Sequence, residues 1–70
     1  KLGSLSKIQE ELDEAKDAEL QKNKVMVLCE LSDIIGAIRA YLKEKFPDIT
    51  ITDLEIMAHA TERAFQNGRR

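Results

Sequence analysis

The stretch VMVLCELSDIIGAI, Val25 to Ile38, is the most apolar part of the chain, yet it carries two carboxylates, Glu30 and Asp33. Its apolar residues decide the fold. Val25, Leu28, Leu31, Ile34, Ile35, Ile38 and Leu42 recur at the three- and four-residue spacing of a helix and form one wide stripe. The helix reads from about Lys24, where Asn23 is a plausible N-cap, to Lys45, with Pro47 stopping it near Phe46. Lys43 and Lys45 suit the negative end of its dipole. A carboxylate inside such a stripe needs a partner.

Working outward, a second helix precedes it. Leu5, Ile8, Leu12 and Ala15 share one face, so this helix should run from about Ser6 to Leu20. Ser4 or Ser6 can cap it, and Ser6 with Gln9 fits a capping box. Gln21 to Lys24 is the polar break. A third helix follows Pro47. Thr52-Asp53-Leu54-Glu55 reads as its capping box, and Asn67-Gly68 as its stop. Leu54, Met57, Ala58, Thr61, Ala64 and Phe65 are its expected inner face. The link from Pro47 to Ile51 alternates and could be extended, with nothing to pair against. The expected fold is all-α, a three-helix unit that forms a helical bundle with partner subunits.

The chain has 70 residues, enough for one domain with a marginal core. Aromatics are only 4%, so the core must be aliphatic. A small aliphatic unit of this kind is expected to complete its core as a homo-oligomer, a dimer or tetramer. A net charge of −2 gives no basic footprint for nucleic acid. No apolar run reaches the ~18 residues of a membrane span, and no signal-peptide pattern opens the chain. A cytoplasmic location is expected. The start at Lys1 rather than Met reads as a trimmed chain or a fragment. Cys29, alone among apolar neighbours, reads as a buried, inert thiol. His59 falls on the outer side of the third helix, and Tyr41 reads as packing. Gly36, Ala37 and Ala40 are expected to permit close helix contact.

The first helix is strongly acidic, with six carboxylates and one lysine between Gln9 and Glu19. At ~100° per residue, Glu11 and Glu14 lie within ~60° of each other, with Lys7 on the same stripe. Glu30 and Asp33 repeat that spacing on the second helix. Antiparallel packing across the short break would let the two pairs face each other. Four converging carboxylates repel and lose hydration. A divalent cation removes both costs, and oxygen-only ligands select Mg²⁺ or Mn²⁺ over zinc. The bland alternative is a solvated acidic face, with Glu30 and Asp33 paired to Lys7 or Arg39. Glu10, Asp13, Asp17 and Glu19 read as solvated.

Written as a pattern, Glu10-Glu11-x-x-Glu14, fifteen residues and Glu30-x-x-Asp33 resemble the EExxE…ExxD signature of the MazG-like all-α nucleoside triphosphate pyrophosphohydrolases. The similarity extends to Lys7, to Leu31 and Ile34-Ile35, and to the Ala60–Arg69 tail. It covers most of the 70 residues, and the resemblance implies a single MazG-like helical domain over residues 1–70, expected to be without the additional N-terminal helix usual in the family. The expectation that follows from the resemblance is a nucleobase pocket that is incomplete or supplied by a neighbouring subunit. The resemblance implies that Glu11, Glu14, Glu30 and Asp33 ligate Mg²⁺. It implies that Glu10 helps orient the attacking water and that Lys7 touches phosphate. Arg63 matches a basic phosphate-binding position, with Thr61 where an Asn is usual; Lys45, Arg69 and Arg70 are further candidates. The reaction implied is cleavage between the α and β phosphates of a nucleotide, with phosphoribosyl-ATP as a rival substrate. A non-catalytic dimerisation or regulatory module with a vestigial metal site is the alternative from another class.

Overall fold

Ser4 holds extended backbone (φ −118°, ψ 160°), and its Oγ accepts the Lys7 amide at 3.4 Å. That cap starts helix α1, Leu5–Leu20, in this computed structural model, which describes residues 1–68. Of the two candidate caps it is thus Ser4 that acts. Ser6 lies inside the first turn, so the Ser6–Gln9 capping box does not form.

Helix α1 closes with a Schellman motif. The Asn23 amide donates to Ala18 O at 3.0 Å and the Lys22 amide to Glu19 O at 2.9 Å. The motif requires a left-handed residue, and Lys22 supplies it at φ 58°. Asn23 then turns the chain around: its Oδ1 accepts the Met26 amide at 3.1 Å and opens α2, Lys24–Lys45. These bounds are those read from the sequence. The Phe46 amide donates to Leu42 O at 2.7 Å, and Pro47 follows.

Helix α3 spans Ile51–Gln66. Its capping box is Thr50 with Asp53, two residues earlier than expected. The Thr50 amide donates to Asp53 Oδ2 at 2.8 Å, and the Asp53 amide to Thr50 Oγ1 at 3.2 Å. Thr50-x-x-Asp53 and Thr52-x-x-Glu55 are overlapping boxes. Thr50 carries the extended backbone that a cap needs, so Ile51 joins the helix and the link is shorter than the sequence suggests. Among the described residues the chain is all-α, with three helices and no strand. No helix is long and apolar enough to cross a membrane.

Helices α1 and α2 form an antiparallel hairpin. Glu11 and Glu14 meet Glu30 near its middle, while Gly3 lies against Ala40 and Glu44 at its open end. The seam is built from small residues: Ala15, Ala18 and Ala37 are buried in it, together with Glu11 and Glu30. Leu42 is the one large apolar side chain that is buried among the described residues. Helix α3 meets only α2, and none of its described residues is buried. The Cα radius of gyration is 13.8 Å, against about 11 Å for a compact chain of this length.

This openness corrects several expectations. Leu5, Leu12, Val25, Leu28, Leu31 and Ile35, read as core, are exposed within one chain. So are Met57, Ala58 and Phe65 on α3. Cys29 is exposed, not buried. Gly36 does not mediate a close approach, since a Cβ there would meet nothing within 4 Å; Ala37 fills that role in the seam. His59 is exposed, as expected. Tyr41 packs beside Phe46, with ring centroids 6.2 Å apart.

Candidate metal centre

The hairpin brings carboxylates from both helices to one point. One oxygen each of Glu11, Glu14 and Glu30 lies within 4.8 Å of the others. Glu11 is 7% exposed and Glu30 9%, so two of the three acids sit where water is largely excluded. Glu14 stands at the solvent edge. Alanines at 15, 18 and 37 leave the seam narrow enough for side chains from opposite helices to meet.

One cation enters the cluster. Lys7 Nζ lies 3.1 Å from Glu11 Oε1 and 3.3 Å from Glu10 Oε1, one turn along α1. It holds the Glu11 carboxyl below its ordinary value, and the two carboxylates hold Lys7 above its own. The remaining acids lack that relief. Glu14 is pushed up to about 7, first by its contact with Glu11 and by the charge of Glu11. Glu30 is also raised, chiefly because it is buried, and then by Glu11. Two oxygens, Glu11 Oε2 and Glu30 Oε2, are buried with no hydrogen-bond partner. Buried acceptors left unsatisfied are costly.

The bland pairing for Glu30 is not what the chain adopts. Lys7 is engaged on its own helix, and Arg39 lies ~180° around α2 from Glu30. Arg39 lines a different groove, with Leu42, Lys43 and Pro47. Among the described residues no salt bridge reaches Glu30.

A hard divalent cation fits this set. The donors are all carboxylate oxygens, two of them buried and unpartnered, and the trio retains protons that a cation would replace. Asp33 is not within the converging trio. It is exposed, one turn beyond Glu30 on α2, and its charge adds to the upward shift of Glu30. Glu10 is exposed and accepts from Lys7. Arg63 opens instead onto a recess with Ala60, Ala64 and Asn67. Arg69 lies outside the described residues, as does Arg70.

Leu5, Ile8, Leu12 and Ala15 were the residues expected to share the inner face of α1, and Glu11 was not among them. The structure places it in the seam and turns Leu12 outward. The available signal was the spacing of Glu11, Ala15 and Ala18, a helical face of small residues. No family model, no curated protein and no solved structure matches the chain.

Proposed function

We propose that the chain is a Mg²⁺-dependent nucleotide pyrophosphohydrolase of the MazG-like superfamily. Its reaction would cleave the bond between the α and β phosphates of a nucleoside triphosphate, giving a monophosphate and pyrophosphate. One observation carries the reading. Three carboxylates from two helices converge on one point with two buried oxygens left unpartnered, and the EExxE…ExxD spacing of the sequence falls on those residues.

Glu11, Glu14 and Glu30 would hold the ion, Mg²⁺ or Mn²⁺, with Asp33 as the fourth acid one turn away. Bound there, the ion supplies charge to offset the phosphates and lowers the pKa of a water. Lys7, held in its charged form by Glu10 and Glu11, offers a cation to a phosphate oxygen beside the cluster. Glu10 is exposed, and its free carboxylate oxygen can orient a water and take its proton. Arg63 on α3 and Arg69, outside the described residues, remain phosphate-binding candidates, and phosphoribosyl-ATP remains the rival substrate. A cytoplasmic, homo-oligomeric enzyme belongs with this reading.

One observation favours a second reading, a non-catalytic module with a vestigial metal site. The recess that Arg63 lines contains none of the cluster acids. A panel of nucleotides, including phosphoribosyl-ATP, incubated with Mg²⁺ or Mn²⁺ and assayed for pyrophosphate, separates the two. The hydrolase reading expects release with at least one substrate. It also expects Glu30→Gln to lose more than the roughly 10–100-fold cost of disturbing an outer partner of a metal ligand, with the helical circular dichroism unchanged. Release that persists in Glu30→Gln ends the hydrolase reading. No release across the panel favours the module.

A further inference from the structure

On the side of α2 turned away from α1, a groove of about 260 Å³ lies between the helix and the link that leads into α3. Arg39, Leu42, Lys43, Pro47, Ile49 and Thr50 line it, among others. With Glu30, which meets α1, as the zero of angle, Arg39 lies at ~180° around α2 and Lys43 at ~−140°. The two cations are thus one turn apart on one side of the helix. Arg39 is also nine residues from Glu30, ~13 Å along the axis. The groove is therefore separate from the acidic cluster.

The polar side chains that line it are all able to donate, and no Asp or Glu lines it. Asp48 belongs to the same link, yet neither Arg39 nor Lys43 pairs with it or with any other described acid. The Thr50 oxygen accepts the Asp53 amide at 3.2 Å, which leaves its O–H free to donate. The rest of the lining is apolar. Leu42 is buried, while Ile49 remains 40% exposed beside Pro47. A bare inorganic ion makes no use of such a lining, and an uncharged apolar molecule leaves the guanidinium unmatched.

The charge balance selects the anion. Lys43 lies in the last turn of α2, where the negative end of the helix dipole offsets about half a charge. The charge of Arg39 is left over, and its planar fork matches a carboxylate through two parallel hydrogen bonds. We infer that this groove binds a small organic monocarboxylate with an apolar or aromatic body, held by Arg39 with Lys43 and the Thr50 hydroxyl beside it. Its volume lies below the ~300 Å³ at which pockets for drug-sized ligands begin, which suits a single ring or a short branched chain. Seated there, the ligand bridges α2 and the link into α3, a helix with no buried residue among those described.

The test uses neither metal nor nucleotide, so its outcome is separable from that of the hydrolase reading. Benzoate is the probe, with acetate as the head group alone and benzyl alcohol as the body alone. In a nuclear magnetic resonance titration of the isotope-labelled chain, benzoate should shift the amides of residues 39–51 and the Arg39 Nε–H. It should bind at least about tenfold more tightly than either control. Arg39→Gln should weaken benzoate at least about tenfold. Lys16→Gln, which removes an exposed cation on α1, should leave benzoate binding unchanged. Arg39 is itself exposed, so its replacement should keep the helical fold. Shifts spread over every lysine and arginine, an affinity no better than that of acetate, or undiminished binding to Arg39→Gln overturns the proposal. So does phenyl phosphate binding more tightly than benzoate, because the groove then takes a dianion.

Discussion

Loading the acidic cluster with Mg²⁺ should expel protons, and the number expelled can be worked from the site. Glu14 is held at about 7 by its contact with Glu11. It therefore carries about 0.9 of a proton at pH 6, about 0.5 at pH 7 and about 0.1 at pH 8 before the ion binds. Glu30 is raised as well and adds to the acid side of that curve. Glu11, lowered by Lys7, adds nothing in this range. Isothermal titration with Mg²⁺ in buffers of differing ionisation enthalpy measures the release directly. The same shift fixes the sign of the stability curve. The folded value of Glu14 exceeds its ordinary 4.5, so between about 4.5 and 7 the folded chain binds more protons than the unfolded one. Without metal, stability should fall as pH rises through that window. The favourable contribution of Glu11 is present above 4.5 and lost only below it, and that of Lys7 is lost only above 10.5. Neither alters the direction between pH 5 and 8. Mg²⁺ at a hundredfold excess over its Kd adds ~2.7 kcal/mol, which for a domain of this size is a rise in Tm of ~10 °C or more. Measurable Mg²⁺ binding with no proton release at pH 6 and pH 7, or a metal-free Tm that climbs from pH 5 to pH 8, would refute the reasoning.

Lys22→Gly should raise stability by about 0.5–1 kcal/mol, because it removes a Cβ from the left-handed position that closes α1; chemical denaturation measures it, and a loss of stability would contradict the cap assignment. Ala15→Leu should cost ~1–3 kcal/mol by overpacking the seam. It should also weaken Mg²⁺ binding by more than its effect on folding explains, since it parts the helices that hold Glu11 and Glu30. Lys7→Gln should hardly change Tm, because the pair is a partly exposed one on a single helix. It should increase the protons that Mg²⁺ releases at pH 7, because Glu11 loses the cation that lowers it.

The elements were legible where both ends carry a chemical signal. Helix α2 has Asn23 at one end and Pro47 beyond the other, and its bounds follow from them. The start of α3 was displaced because two Thr-x-x-acid boxes overlap and periodicity does not choose between them; backbone geometry at Thr50 does. Which residues face inward was less legible. Hydrophobic periodicity reports that Leu5, Leu12, Leu28 and Leu31 share a side, but it cannot say whether that side meets the same chain or another surface. Exposure of Cys29 was missed for a related reason: apolar neighbours in sequence say little about a residue ~100° around the helix from the buried Glu30. Spacing singled out Glu11, Glu14 and Glu30, which the structure brings together, and also Asp33, which lies outside that trio. The burial of Glu11 was not legible, because nothing in a hydropathy pattern ranks a glutamate above a leucine for the interior.

The burial of that glutamate and the exposure of those leucines have one cause. The distance between packed helices varies by ~2 Å with the side chains at the contact. Carboxylates on opposite helices meet only if the seam is tight, which requires residues such as Ala15, Ala18 and Ala37 along it. A seam of alanines buries little apolar area, so it cannot alone stabilise a chain of this length. The leucines that would supply the area are excluded from the seam by their size. They gather on the adjoining face, within ~100–160° of the seam on α2. A hairpin built to concentrate negative charge on one side therefore leaves apolar surface on the other. Among the described residues its clustered acids share a single cation, Lys7, and its leucines lack a cover. A divalent ion held between Glu11, Glu14 and Glu30 would answer the first need, on the side of the helix pair away from the leucines.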